Sequence, residues 1–322
     1  MTSLPTSFPL RLPSGRSVRG VLCLLPLALV AVAASRHWPV LADGFGQLGS
    51  ARPAWVLAAV ATTCLTWVAA ACSRQGAVVQ PLPRLRLLAA QFAAGAANHL
   101  LPTGLGAGAV NLRFLSVCGV PLARSSAALA LYLLAEAAGR VGLLVVLFAA
   151  FPRALRLGTL LPDMAVGPLT AGAVLAVGCA VAVLLCVRRL RTAVFDFVRT
   201  ACGEARSVHA RPARAAALWG GSVAFPALQA AGLVAVGRAF ALPVPMAHMA
   251  VAYLAATVAV ALVPVPGGIG SVEAALVVAL VAAGGPLTTV TAVVVTYRII
   301  TVWGPLLPGA VTLGALVRMK VI

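Results

Sequence analysis

The chain has 322 residues, of which 62% are hydrophobic and 9% charged, and its mean hydropathy is +1.05. This composition excludes an ordinary soluble domain and predicts an all-α polytopic membrane protein. The formal net charge of +18 would suit a nucleic-acid-binding protein. However, the arginines cluster between apolar runs, where the positive-inside rule accounts for them with no nucleic-acid partner.

The N-terminal residues 1–18 form a basic tail, which we expect to be cytoplasmic, and an apolar run follows at 20–35. This arrangement resembles a secretory signal with a cleavage site. We favour an uncleaved first span, because the internal repeat described below requires it.

Apolar runs continue along the rest of the chain as one membrane domain, 19–317. We expect single crossings at 53–72, 125–150, 165–187, 215–236 and 289–317. Two further runs, 87–108 and 248–284, are broken by proline and glycine and are predicted to be re-entrant or to cross twice. The sequence therefore predicts about six full spans and two broken elements, in all roughly eight or more helices.

The two breaks should interrupt the helices at membrane depth. Proline cannot donate a backbone hydrogen bond, and glycine permits backbone angles that are closed to other residues. Irregular backbone at that depth is tolerated where protein buries it or where it lines a wet cavity. The residues concerned are Pro102, Gly104 and Gly106 in the first break and Pro266, Gly267, Gly268 and Gly270 in the second.

The two breaks also resemble each other. Residues 101–106 and 265–270 share the pattern apolar, Pro, any, Gly, Leu or Ile, Gly. Tyr132 lies 26 residues beyond Gly106, and Tyr297 lies 27 residues beyond Gly270. This matched spacing favours an internal duplication, the kind of repeat from which secondary transporters are built.

Charge distribution predicts the orientation of the two halves. The longest polar segment, 188–214, contains seven arginines and should be cytoplasmic. A single crossing at 87–108 would place it outside, whereas an element that enters and returns places it inside. Residues 19–150 and 165–317, joined by 151–164, then form an inverted-topology repeat with both chain termini cytoplasmic.

A phosphate or carboxylate site is predicted between the breaks. Helices that restart after Gly106 and Gly270 present free N–H groups and positive dipole ends. Arg113 and Arg298 would add charge-assisted contacts to the same anion. The alternative is that proline and glycine only allow the helices to kink and pack closely.

Two acids lie in or beside the apolar runs. Glu136 and Arg140 are four residues apart on one helix face, so they can form an ion pair that is structural or one that gates a path. Glu273 follows the second break. It is interpreted as a helix-start residue, as a partner of Arg298 or Arg113, or as a protonatable coupling group.

Polar side chains near the breaks are candidate headgroup contacts, although His99 also suits a satisfied interior histidine. These candidates are Asn98, His99, Asn111, Tyr132 and Tyr297. The seven cysteines form no C-x-x-C pair, and neither a metal nor another cofactor is predicted. Hydrolase, P-loop and zinc-protease motifs are absent, so we expect no enzyme activity.

The two break motifs together resemble the lysylphosphatidylglycerol synthase transmembrane, flippase-like family. The most specific piece is the run Pro-Gly-Gly-Ile-Gly-x-x-Glu-Ala that contains Glu273, and Arg298 and the Trp303-Gly304-Pro305 turn also fit. The resemblance covers most of the chain, to about Gly309. Many relatives have an acid directly after the first motif where this chain has Ala107, so roles carry over there only for Pro102, Gly104, Gly106 and Arg113.

In bifunctional relatives a cytosolic aminoacyl-transfer domain accompanies the membrane region, and the membrane region is associated with moving the modified lipid between leaflets. The resemblance therefore implies translocation of an anionic phospholipid or lipid-linked envelope intermediate across the bacterial inner membrane. Two alternatives stay open, a transporter of a small soluble anion and a non-catalytic membrane partner of an envelope synthase or glycosyltransferase. In the second case, segment 188–214 would be the docking surface.

Overall fold

The computed structural model describes residues 51–100, 106–152, 188–262 and 271–319, together with Gly49 and Ala154. In these ranges all regular secondary structure is helical, in agreement with the predicted fold class. A π-helical turn at Ile299–Trp303 joins the last two helices. The helices are α1 (Pro53–Gly76), α2 (Arg84–Leu100), α3 (Gly106–Val117), α4 (Leu122–Ala150), α5 (Arg188–His209), α6 (Pro212–Ala239), α7 (Met246–Leu262), α8 (Ser271–Ala282), α9 (Leu287–Arg298) and α10 (Gly304–Arg318).

In the part of the chain that the structure describes, four helical stretches are long and apolar enough to cross a membrane. They are Pro53–Gly76, Leu122–Ala150, Pro212–Ala239 and Leu287–Arg318, and they coincide with four of the predicted full spans. The other two predicted spans, 20–35 and 165–187, lie outside the described residues. Helix α4 exposes large apolar side chains along its length, including Leu134 and Val146. These features describe a multi-pass membrane protein whose outer surface suits lipid.

The two broken elements are pairs of short helices. Helices α2 and α7 have 17 residues each, and α3 and α8 have 12 each. In each element the two described helices pack against each other as a hairpin. The breaks themselves, 101–105 and 263–270, lie outside the described residues.

The helices that follow the breaks end in the same way. Gly119 after α3 and Gly284 after α8 have positive φ angles of 83° and 97°, which glycine adopts at low cost. In both turns the amide of the next residue donates to the carbonyl five positions back, at 3.0 Å. Pro121 and Pro286 then precede the next helix. The two segments share this combination, which is also a common way for helices to end.

A second correspondence precedes the broken elements. Residues 81–83 read Pro-Leu-Pro directly before α2, and residues 243–245 read Pro-Val-Pro directly before α7. The apolar residue between the prolines is buried in both places, with Leu82 4% exposed and Val244 2% exposed. Each proline pair therefore directs the chain into a short helix while one side chain anchors the turn.

Helices α1 and α6 form the most extensive helix contact in the described ranges. Small residues allow the close approach, since a Cβ at Gly76 or Gly221 would collide with the backbone of the other helix. The hydroxyls of Ser73 and Ser222 are 3.0 Å apart and hydrogen-bond across the same crossing. Close packing at small residues, with a polar contact across it, is how membrane helices associate without a hydrophobic driving force.

Small and polar residues also hold the first hairpin closed. A Cβ at Gly106 would collide with the carbonyl group of Ala97, so the start of α3 lies directly against α2. The buried Gln91 side chain donates to Asn111 Oδ1 at 2.9 Å, and Asn111 Nδ2 donates to the carbonyl of Ala107 at 2.8 Å. The side chains of Gln91 and Asn111 therefore join the two arms of the hairpin.

Candidate functional site

An ion pair joins the start of α8 to the end of α9. Arg298 Nε donates to Glu273 Oε1 at 2.5 Å, and the two side chains are 13% and 27% exposed. Glu273 lies in the first turn of α8, where the positive end of the helix dipole also stabilises a carboxylate. The structure thus supports two of the three interpretations of Glu273, a helix-start residue and a partner of Arg298.

His99 approaches this pair from the first half of the chain. It lies in the last turn of α2, within electrostatic range of both Arg298 and Glu273. His99 and Thr301 also line a small cavity of about 40 Å³ between α1, α2 and the π-helical turn. His99, two residues before the first break, therefore lies beside the turn that follows Arg298 and shares the electrostatic surroundings of Arg298 and Glu273.

The π-helical turn begins directly after Arg298. The amide of Gly304 donates to the carbonyl of Ile299, five residues earlier, instead of four. Pro305 follows and has no amide to continue the regular ladder. A π turn shifts the helix face by one residue, and such turns occur frequently at functional sites.

A second ion pair lies near the middle of α4. Arg140 Nη2 is 3.7 Å from Glu136 Oε1, as the four-residue spacing predicts, and the side chains are 22% and 17% exposed. The same Arg140 nitrogen lies 3.5 Å from Gln229 Oε1 on α6. Each interior acid described so far therefore has an arginine beside it, which keeps the bundle interior close to neutral.

Tyrosines connect the two ion pairs. Tyr297 lies next to Arg298 in the sequence, and its hydroxyl donates to the carbonyl of Gln229 at 3.2 Å. Its ring meets Tyr253 of α7 edge to face, with centroids 5.9 Å apart. Tyr253 lies within electrostatic range of both Arg140 and Arg298. A row of polar groups thus runs through an otherwise apolar interior, from Glu136 to His99.

Other predicted site residues lie apart from this row. Arg113 is exposed on α3 and makes no ion pair or hydrogen bond with another described residue, whereas Arg298 is paired with Glu273. Asn111 is satisfied within the first hairpin. Tyr132 is buried, with the Arg74 guanidinium 4.3 Å from its ring centroid. Asn98 is half-buried beside His99.

Several predicted site residues belong to the breaks. Gly106 is described and packs against Ala97. The others fall in 101–105 and 263–270, outside the described residues, and are Pro102, Gly104, Pro266, Gly267, Gly268 and Gly270.

The residues that sequence reasoning missed are Gln229, Tyr253 and Arg74. Gln229 carried a usable signal, because it is the one amide side chain within the long apolar helix α6. Polar side chains inside membrane spans usually face a partner or a pathway. Tyr253 and Arg74 had no such signal, since their partners belong to helices distant in sequence.

An apolar groove lies at the end of the bundle opposite α5. It has a volume of about 510 Å³ and is lined by α1, α4, α6 and α7, with Trp55, Leu143, Leu147 and Met246 among the lining side chains. The hydroxyl of Thr62 also reaches the groove but donates to the carbonyl of Ala59. The groove therefore presents hydrocarbon and almost no free polar group, which suits an acyl or isoprenoid chain.

Comparison with known proteins decides the family. A family model described as the lysylphosphatidylglycerol synthase TM region matches residues 20–309. The chain belongs to this family.

Membership in the lysylphosphatidylglycerol synthase TM family agrees with the resemblance carried by the two break motifs. It ties this multi-pass membrane protein to a family named for lipid chemistry. A search of the curated proteins finds no match.

Proposed function

We propose that this member of the lysylphosphatidylglycerol synthase TM family moves an anionic phospholipid or a lipid-linked envelope intermediate between the leaflets of the bacterial inner membrane. The observation that carries the proposal is the row of interior charges, because ionisable groups inside membrane spans mark substrate pathways. His99, which precedes the first break, lies in electrostatic range of Arg298 and Glu273 on that row.

Arg298 is the proposed binding group for the headgroup phosphate. Its guanidinium is held at the end of α9 by Glu273, so an incoming phosphate would compete with that carboxylate for the same donors. When the phosphate leaves, Glu273 returns to Arg298 and no buried charge stays unpaired. This exchange would let the site bind tightly enough to select an anion and weakly enough to release it.

The row of polar groups would carry the headgroup, and the apolar groove would take a tail. Arg140 and Gln229 lie near the middle of their helices, and the groove begins one turn beyond Arg140, at Leu143. A groove of this composition favours a lipid substrate over a small soluble anion, which would have no use for it.

The proposed architecture is an inverted-topology repeat with both termini in the cytoplasm. Its support is the matched glycine turns after the broken elements and the two Pro-x-Pro linkers before them. Tyr132 and Tyr297 also lie at the same distance from the start of their helices. Repeats of this kind place the substrate site near the midplane, where the breaks are expected. We propose no catalytic role and no cofactor for this chain.

The test is transport of a fluorescent phosphatidylglycerol in liposomes that contain the purified chain. Translocation exposes the lipid to a quencher that cannot cross the bilayer. Arg298→Ala and Glu273→Gln should lose most of the transport, and Arg298→Lys should be impaired because an ammonium cannot reproduce the planar fork. The matched controls are Arg318→Ala and Asp196→Asn, which remove exposed charges at the bundle end and on α5.

Native mass spectrometry of the same variants identifies the lipid class. A discrete anionic or polyprenyl-phosphate lipid that the parent protein retains and the Arg298 variant loses would support the proposal. Full transport by both interior variants, or a bulk-like lipid mixture that neither change affects, would contradict it. In that case a soluble anion or a partner enzyme becomes the better hypothesis.

A further inference from the structure

Helix α5 has a surface that the proposed transport function does not use. The segment 188–214 contains seven arginines and two acids, and within it α5 is amphipathic. Val208 is fully buried on one side of the helix, whereas Phe195 is 68% exposed and Val198 is 49% exposed. The exposed apolar side chains therefore do not belong to the bundle core.

The C-terminal half of α5 is fixed to the ends of two spans. Glu204 forms an ion pair with Arg124, in the first turn of α4, at 3.2 Å. Val208 packs in the same buried cluster as Leu218 of α6. Helix α5 is therefore held at the level where the spans begin, which is the level of one membrane surface.

An aromatic contact lies at the same level. Trp219, near the start of α6, is 42% exposed, and its Nε1 donates to His209 Nε2 at 3.0 Å. Tryptophan with one polar end and one apolar body is enriched at membrane–water interfaces. This contact joins the end of α5 to an interfacial side chain.

Helical spacing divides the exposed part of α5 into two adjacent stripes. Phe195, Val198 and Cys202 are spaced i, i+3 and i+7, so they lie on one apolar stripe. Arg199 follows Phe195 by four residues and Arg206 follows Cys202 by four, so both arginines lie along the edge of this stripe, and both are exposed. They form no ion pair or hydrogen bond with the residues that the structure describes, so their charge is available to an anionic partner.

We propose that α5 is an interfacial helix that binds the anionic lipid surface of the bilayer that holds the spans. The apolar stripe enters the boundary between headgroups and acyl chains, and Arg199 and Arg206 contact lipid phosphates. Charge complementarity selects this occupant, because Glu204 is already paired with Arg124 and the segment keeps a large arginine excess. As a consequence, anionic lipids would gather around the cytoplasmic end of the bundle.

The test uses the full chain in nanodiscs made of phosphatidylcholine alone or of phosphatidylcholine and phosphatidylglycerol in equal amounts. A spin label on Cys202, with the other cysteines replaced, reports collisions with oxygen and with a water-soluble nickel complex. The matched control is a label at Asp196→Cys, on the exposed polar side of the same helix. We expect the label at 202 to be immersed in lipid in the mixed discs and the label at 196 to stay in water.

Removal of the two arginines isolates the electrostatic contribution to lipid binding by α5. Arg199→Gln with Arg206→Gln should lower the preference for phosphatidylglycerol over phosphatidylcholine by about 30-fold, at about fivefold for each charge near an anionic surface. The proposal is overturned if the label at 202 is as water-exposed as the label at 196 in both lipids. It is equally overturned if immersion is the same in both lipids, or if the label is protected only in native membranes that supply a protein partner.

Discussion

Neutralising one member of the Arg298–Glu273 pair should be costlier than neutralising both. Arg298→Met removes the cation and leaves a carboxylate that is 27% exposed and lies at the positive end of α8. Glu273→Gln leaves a guanidinium that is 13% exposed. The two single substitutions therefore strand charges of different burial.

The magnitudes follow from these environments. Breaking a buried ion pair from one side costs about 3–5 kcal/mol, and a helix N-terminus returns about 0.3–1 kcal/mol to a stranded carboxylate. We expect a loss of about 2 to 3 kcal/mol in unfolding free energy for Arg298→Met. For Glu273→Gln, which strands the more buried charge with no such dipole, we expect about 3 to 4 kcal/mol.

The double variant tests whether the cost comes from stranded charge. Arg298→Met with Glu273→Gln leaves no unpaired ion, so its unfolding free energy should lie within about 1 kcal/mol of the parent value. The assay is reversible unfolding of the purified chain in bicelles, with a coupling energy from the four-member cycle. Additive losses, or a larger loss for Arg298→Met than for Glu273→Gln, would refute the reasoning. The double variant should still lose transport, which separates stability from function.

Four further predictions concern packing, the polar row, the Cys118 thiol and sidedness. Gly221→Leu should destabilise the chain by several kcal/mol in thermal unfolding, because its side chain would collide with the backbone at Ser73; a change below about 1 kcal/mol would contradict the α1–α6 crossing. Gln229→Leu should cost only about 0.6 kcal/mol, the average for such membrane hydrogen bonds, but should slow transport severalfold; unchanged transport would remove Gln229 from the path. Burial raises the pKa of the Cys118 thiol, so its alkylation should rise at higher pH than in an unfolded peptide, and a pH profile that matches the peptide would contradict this. An impermeant thiol reagent on intact cells should label neither Cys118 nor Cys202, and labelling of Cys202 from outside would refute the topology.

Part of the site could be predicted from sequence because its partners are near in sequence or are exceptional in their surroundings. The Glu136–Arg140 pair follows from a four-residue spacing on a helix. Glu273 was singled out because an acid beside a proline–glycine break has few ordinary roles in a membrane. Its partner stayed open between Arg298 and Arg113, because no local rule relates residues on separate helices.

The same limit explains why the surroundings of Arg113 could not be predicted from the sequence. Both break motifs have an arginine some way downstream, and an approximate repeat suggested that both arginines face one ligand. In the structure Arg298 is mostly buried in its pair with Glu273, whereas Arg113 is exposed on α3. Helix phase and the neighbours packed on each face decide this, and a spacing error of one residue turns a side chain by about 100°.

Composition and motifs alone determined that the chain is a helical, multi-pass membrane protein of its family, because hydropathy, charge clustering and proline–glycine breaks act locally along the chain. Only the tertiary structure decided that Arg298 pairs with Glu273 within electrostatic range of His99, that Gln229 and two tyrosines lie between the ion pairs, and that an apolar groove opens near them. These features depend on packing between helices that are far apart in sequence. At the α1–α6 crossing this packing is set by close contacts between small residues, and a one-dimensional pattern does not contain them.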